Sequence, residues 1–128
     1  MAKASYVWSG SEWLPIASAF PTAHQRGIES TASTSYTLGV NDTGKAIEFT
    51  SNDPVSVTIP EDSTYEFNIG QTFLLIQKGN GVVSIDGEVG VTLNGYSVSS
   101  PVDTSGQYAV VTLLKLDSNE WIIFGNIA

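Results

Sequence analysis

Hydrophobic and polar residues alternate in three short runs between Tyr36 and Pro60. The apolar positions are Tyr36, Leu38 and Val40 in the first run, Ile47 and Phe49 in the second, and Val55, Val57 and Ile59 in the third. Side chains of a β-strand point to opposite faces in turn, so this period of two predicts three strands, each with one buried side. Asp42-Thr43-Gly44 and Asp53-Pro54 separate the runs, and both have the composition of turns.

The second half of the chain continues in the same way. Residues Thr72–Lys78 form a nearly continuous apolar run, which is typical of a central strand buried on both faces. Gln107–Leu116 is the longest predicted strand. The turn at Asp117–Asn119 predicts that Glu120–Gly125 pairs back against it.

Turn signals recur about every 8–12 residues, a spacing typical of sandwiches and barrels. Asp86-Gly87 is a strong hairpin signal, and Gly79-Asn80-Gly81 predicts another reversal. One short helical turn is expected after Pro60, and no internal repeat of solenoid type is present. The sequence therefore predicts an all-β fold: a compact sandwich or barrel of short antiparallel strands, with an N-terminal extended arm or hairpin.

The N-terminal residues have a different character. Trp8 and Trp13 flank Ser9-Gly10-Ser11, a pattern that predicts a small hairpin with an aromatic residue on each arm. These rings either pack on the same chain as a first strand pair or belong to an arm that docks on a neighbouring subunit. Residues 17–35 lack periodicity and predict a linker or strap, in which Arg26 is a candidate for an interface ion pair. We expect an arm over residues 1–26 and a β domain over 27–128.

Composition restricts the classes of partner. The chain has 13 acidic and 5 basic residues, a formal charge of −8, and its cations are scattered, which disfavours nucleic-acid binding. It has no cysteine, so disulfides and cysteine-based metal sites are excluded. No apolar run has the length of a signal peptide or a membrane span. We expect a protein made in a cytoplasm that does not leave by the usual secretory route and does not bind membranes.

Residues for catalysis are few. The single histidine, His24, lies in the predicted linker, and no phosphate-binding glycine loop is present. Glu61, Asp62 and Glu66 contain enough carboxylates for the catalytic pair of a glycosidase. Clustered acids after a proline are, however, more typical of a solvated helix start. Asp42, Asp53, Asp86 and Glu88 are candidate ligands for a calcium site built from separate loops, but each of them also has a turn role. We expect a protein that is not an enzyme and holds no cofactor or metal.

From about Gly27 to Ile127 the chain resembles a β-rich module of tailed-bacteriophage virion structural proteins. The matching segments are 26–28, 36–38, 42–45, 55–60, 69–70, 76–77, 79–81, 90–94, 106–108, 113–115 and 119–121 with Gly125. The segment from Tyr6 to Trp13 also resembles a short tryptophan motif of such proteins.

The resemblance implies a non-enzymatic, trimeric part of a phage particle, located in the virion. Fibre proteins with this module continue into long shafts, whereas this sequence ends at Ala128, so we expect a capsid decoration (cement) protein bound to the major capsid protein or other virion proteins. Tyr6, Trp8, Trp13 and Arg26 are the candidate partner-binding residues. The alternative is a tail or tail-fibre component that acts as an adaptor or binds host glycans through Tyr65, Tyr96 and Tyr108. A host-side carbohydrate-binding module is a third class, disfavoured because the sequence has no signal peptide or disulfides.

Overall fold

The computed structural model describes residues 27–128 throughout and, before them, the backbone of two short strands. The strands are β1 Tyr6–Trp8, β2 Trp13–Pro15, β3 Gly27–Thr31, β4 Ser35–Thr37, β5 Lys45–Phe49, β6 Val55–Ile59, β7 Thr72–Gln77, β8 Val83–Gly87, β9 Thr92–Gly95, β10 Val102–Asp103, β11 Val110–Asp117 and β12 Glu120–Gly125. The helical content of residues 27–128 is one 3-10 turn, Val40–Asp42. No helix in this part of the chain has the length and apolar composition needed to cross a bilayer.

Residues 27–128 form two mixed sheets packed as a sandwich. One sheet has six strands in the order β3-β5-β7-β11-β12-β9, and the other has four in the order β10-β8-β6-β4. Inward-facing apolar residues of both sheets make one core, as expected for a sandwich. The predicted all-β, sandwich-type fold is confirmed.

The first half of the domain is a three-turn coil in which the chain alternates between the two sheets. Strands β3, β5 and β7 are parallel in one sheet, and β4, β6 and β8 are parallel in the other. The connections are hydrogen-bonded from one turn to the next: the Thr50 amide donates to the Thr31 carbonyl at 2.9 Å, and the Lys78 amide to the Phe49 carbonyl at 2.9 Å. Successive runs of the sequence are therefore partners across the core rather than neighbours in one sheet, which corrects the purely antiparallel expectation.

Two of the predicted hairpins are instead crossings between the sheets. Asp86 and Gly87 end β8 in the four-stranded sheet, and the next strand, β9, lies in the six-stranded sheet. Gly79-Asn80-Gly81 likewise carries the chain from β7 to β8, close to the preceding connection. A Cβ atom on Gly79 would lie 2.2 Å from the Ser51 carbonyl oxygen, and one on Gly81 would lie 1.9 Å from that of Asp53. These glycines permit the close stacking of two loops, which the turn pattern alone does not distinguish from a hairpin.

The second half closes the sandwich with antiparallel pairs. β11 inserts beside β7, and β12 returns beside β11 after the turn at residues 117–119, so this predicted hairpin is confirmed. β9 pairs parallel with β12 at the sheet edge, and β10 pairs antiparallel with β8 in the other sheet. β11, with eight residues, is the longest strand among those described, as predicted.

Two further predictions concern the ends of strands. The first alternating run stops at Thr37, and the chain turns through the 3-10 segment because the Asp42 carboxylate accepts a hydrogen bond of 2.7 Å from the Gly39 amide. Val40, predicted to face inward, is therefore exposed.

At the N-terminus β1 pairs antiparallel with β2, and Trp8 lies opposite Trp13, which confirms the predicted hairpin. Arg26 and His24 lie outside the described residues.

Candidate interaction surface

The side of the six-stranded sheet that faces away from the core is predominantly apolar. Strand register places one row of side chains across five strands: Ile28, Ala46, Leu74, Thr112 and Phe124. A second row contains Ser30, Glu48, Ile76 and Val110, and a third contains Thr72, Leu114, Ile122 and Asn94. We call the apolar members the outer face; they are Ile28, Ala46, Leu74, Ile76, Val110, Leu114, Ile122 and Phe124.

The outer face is most open at its two sides. Ile28 on β3 is 66% exposed and Phe124 on β12 is 51% exposed. The residues between them on β7 and β11 are half-buried. Within residues 27–128 no third layer packs on this side, since all the strands of this range belong to the two sheets of the sandwich. An apolar sheet face of this kind is a feature of interaction surfaces in soluble proteins.

Charge is almost excluded from the outer face. Glu48 is the acidic residue among its rows, and its carboxylate lies 3.4 Å from the Lys78 ammonium group. Glu120 is the first residue of β12, on the same side as Ile122, and its carboxylate accepts a hydrogen bond of 3.3 Å from the Asn94 side-chain amide. The net charge of −8 is therefore carried mainly by other parts of the chain.

The apolar run Thr72–Lys78 was predicted to form a central strand buried on both faces. β7 is indeed central, between β5 and β11, and its inner residues Phe73 and Leu75 are fully buried. Its outer residues Leu74 and Ile76 are only half-buried, so the prediction is wrong for that side within residues 27–128. The reason is that apolar residues lie on both sides of this strand, but within residues 27–128 the four-stranded sheet packs on only one of them.

A pocket lies beside the first turn of the coil, around Tyr36. It has a volume of about 570 Å³ and is lined by Glu29, Tyr36, Thr37, Gly39, Val40, Asn41, Asp42 and Lys45. The Tyr36 hydroxyl donates a hydrogen bond to the buried Asp42 carboxylate, and its ring packs edge-on against Phe49 at 5.6 Å between centroids. Burial, the hydrogen bond to Asp42 and the nearby negative charges raise the pKa of Tyr36 well above its ordinary value near 10. Both groups are thus used to join β4 to the 3-10 turn.

A buried ion pair joins the connection between β6 and β7 to β11. Lys115 is buried, and its ammonium group donates hydrogen bonds to Asp62 at 2.8 Å and to the Phe67 carbonyl at 2.7 Å. Asp62 also accepts a hydrogen bond from the Asn119 amide at 3.2 Å, and its own amide donates to the Asn119 side chain at 2.8 Å. These bonds satisfy both charges and hold residues 62–67 over one end of the core. Asp62, considered above as a catalytic carboxylate, is therefore engaged in a structural pair.

The other carboxylates considered above do not converge. Glu61 accepts a hydrogen bond from Ser63, Glu66 is exposed, and Glu88 accepts one from the Glu61 amide. Asp42 contacts Tyr36, while Asp86 accepts a hydrogen bond from the Gly87 amide in its own turn. Among the described residues no group of three or more acidic, histidine or cysteine side chains is placed to hold a metal ion.

The tyrosines considered for glycan stacking differ in their surroundings. Tyr65 is half-buried against the Phe67 ring at 4.6 Å between centroids. Tyr96 is 96% exposed and Tyr108 is 67% exposed. Two of the three candidates are therefore on the surface.

The partner-binding residues predicted from sequence lie before residue 27. Tyr6, Trp8 and Trp13 belong to the β1–β2 hairpin, and the structure gives only the backbone pairing for them. The outer face was not among the predicted sites. Its signal is present in the sequence as adjacent apolar residues within one strand, such as Leu74-Leu75, Leu113-Leu114 and Ile122-Ile123, because neighbours in a strand point to opposite faces.

Comparison with known proteins gave no assignment. No protein-family model matches the chain, and no curated protein matches it.

Proposed function

We propose that this protein is a non-enzymatic structural component of a tailed-bacteriophage virion, a capsid decoration protein that assembles as a trimer on the outer capsid surface and stabilises the shell. The observation that carries the proposal is the outer face, an apolar surface that no other strand of residues 27–128 covers and whose nearest carboxylates are Glu48, paired with Lys78, and Glu120. Such a surface is suited to permanent assembly with other protein surfaces rather than to turnover of a small substrate. The resemblance of the sequence to phage virion modules supports the same class.

In this function the two parts of the chain have separate tasks. The β domain binds the other copies of the chain in the trimer. The segment 1–26 anchors this trimer to the shell through its hairpin, in which Trp8 and Trp13 lie opposite each other. Aromatic side chains are favoured as interface anchors because they bury a large area with few rotatable bonds. Three linked anchors bind more tightly than one, because attachment of the first raises the effective concentration of the others.

The test is binding to purified expanded capsids, measured by co-sedimentation. We expect the full chain to bind in hundreds of copies per particle. A chain lacking residues 1–26 should remain folded, since the whole described core lies beyond them, and should fail to bind. The variant Trp8→Ser/Trp13→Ser in the full chain should lose binding as well, while Tyr96→Ser at an exposed site remote from the hairpin in sequence should retain it. Capsid binding that survives removal of residues 1–26 would rule out the anchor.

A second candidate is a tail or tail-fibre component that binds host glycans. It is favoured by the exposed rings of Tyr96 and Tyr108, since aromatic faces stack on sugars. Copy number separates the two functions: a few copies per particle, together with glycan binding that is lost in Tyr96→Ala and Tyr108→Ala, would favour the tail.

A further inference from the structure

We propose that copies of this chain associate with one another through the outer face of the six-stranded sheet. This proposal names the contact that holds together the oligomer of the proposed function, and in that respect it rests on the proposed function. Its test uses only the purified protein. Self-association can therefore fail its test while capsid binding is confirmed, and capsid binding can fail while self-association is confirmed.

The shape of the surface is the first argument. The six-stranded sheet spans about 24 Å across its strands and about 20 Å along them, from the usual strand spacing and rise. Two such sheets packed face to face would bury on the order of 1,000 Å², which reaches the lower limit for a specific interface. Sheet faces pack well on one another because their side chains interdigitate at a separation of about 10 Å.

Charge is the second argument. Two copies that each carry −8 repel one another, so a self-association surface must be the part of the molecule with the least charge. The outer face meets this condition, because its own members are uncharged, the adjacent Glu48 is paired with Lys78, and Glu120 lies beyond the third row, at the start of β12. Contact through this face buries apolar side chains without placing unpaired like charges together.

The competing occupant is residues 1–26 of the same chain. These residues enter the domain at β3, an edge strand of the same sheet, so their attachment point is close enough to compete. The two occupants differ in one measurable respect: cover by the same chain is independent of protein concentration, whereas cover by a second copy is lost on dilution.

The first experiment measures the mass of the full chain by sedimentation equilibrium over a range of concentrations. We expect a discrete oligomer and a dissociation constant raised by about tenfold or more in Ile28→Glu, because an unpaired carboxylate would have to be desolvated. Ile69→Glu is the matched control: Ile69 is 64% exposed against 66% for Ile28, but it lies in the connection between β6 and β7, outside the sheet. Far-UV circular dichroism checks that both variants fold. A monomeric wild-type chain, or equal effects of the two variants, would overturn the proposal.

A second experiment avoids the added charge. The chain has no cysteine, so Phe124→Cys and Ile69→Cys each introduce a unique thiol. We expect the thiol at position 124 to react with a maleimide slowly at high protein concentration and quickly after dilution, while the thiol at 69 reacts quickly at both. If the thiol at position 124 still reacts slowly after dilution, residues 1–26 of the same chain cover the outer face, and this result would overturn self-association.

Salt and stoichiometry complete the test. Association through an apolar face should strengthen when salt screens the repulsion between copies, and weakening by salt would contradict it. A trimeric mass that Ile28→Glu reduces, while Ile69→Glu leaves it unchanged, supports both proposals. A dimeric mass that Ile28→Glu abolishes would support the outer-face contact and overturn the trimer.

Discussion

The two faces of the six-stranded sheet are made by the same strands but differ in what covers them. On the inner face Phe73, Leu75, Val111 and Leu113 are fully buried against the four-stranded sheet. On the outer face their strand neighbours Leu74 and Leu114 are similar in chemistry yet remain half-buried. The inner face is covered by the four-stranded sheet when the chain folds, whereas no other strand within residues 27–128 packs on the outer face.

The faces also differ in how they treat charge. The inner face contains a lysine, Lys115, which is compatible with burial because Asp62 and the Phe67 carbonyl surround its ammonium group. Beside the outer face, Glu48 lies 3.4 Å from the ammonium group of Lys78, and Glu120 lies at the start of β12. A buried charge is stable only with complete hydrogen bonding, and the inner face has the loops to supply it. Substitutions that target each face separately test this division.

The largest effect is expected from Lys115→Ala on the inner face. Loss of the ammonium group leaves the Asp62 carboxylate without its counterion, at a cost of about 3–5 kcal/mol in the free energy of unfolding. Urea denaturation measures this cost. The control is Lys45→Ala, which removes a partly exposed ion pair with Glu29 at 3.8 Å and should cost less than about 1 kcal/mol. Similar losses in the two variants would show that burial of Lys115 adds nothing.

The second effect comes from two adjacent leucines on β7. Leu75→Ala on the inner face should cost about 2–5 kcal/mol, because it opens a cavity in the core. Leu74→Ala on the outer face should cost about 1 kcal/mol when measured on the monomer at low protein concentration. The same Leu74→Ala change should weaken self-association, whereas Leu75→Ala should not do so beyond its effect on folding. Equal costs at the two positions would remove the distinction between the faces.

A smaller effect is expected at the edge of the inner core, where Tyr36 donates to Asp42. Tyr36→Phe removes this hydrogen bond from a buried carboxylate and should cost about 1–3 kcal/mol near neutral pH. Tyr96→Phe makes the same chemical change on an exposed ring and serves as the control, with no measurable cost expected.

The same pair of variants has a signature in alkali. Because the pKa of Tyr36 is raised in the folded protein, its contribution to stability is complete below about pH 10, the ordinary tyrosine value, and decreases as the pH rises above that. The difference in stability between the wild type and Tyr36→Phe should therefore shrink above pH 10. Urea titrations at pH 8 and pH 11 measure it, and a constant difference would contradict the role given to this hydroxyl.

Much of the fold can be predicted from local patterns. Alternation identified β5 and β6 and their inward residues, and the turn at 117–119 identified the hairpin of β11 and β12, because both signals depend on neighbours in the sequence. The parallel coil could not be predicted in this way. Its three turns begin at Gly27, Lys45 and Thr72, and the second turn is longer than the first, so no regular repeat marks it.

The candidate surface was only partly accessible to the same reasoning. The apolar run of β7 predicted a central strand but not that its outer residues are only half-buried, because nothing local identifies which side the other sheet covers. Lys115 illustrates the same limit, since nothing in its own strand marks it as buried and its partner Asp62 is more than fifty residues away.

The sequence by itself determined that this chain forms strands and which residues of each strand share a face, since alternation is a property of consecutive residues. Only the tertiary structure decided which strands are neighbours, which face of the large sheet is closed and how a buried lysine is neutralised. Those outcomes depend on contacts between distant segments, and such contacts are fixed when loops of unequal length pack together around one core.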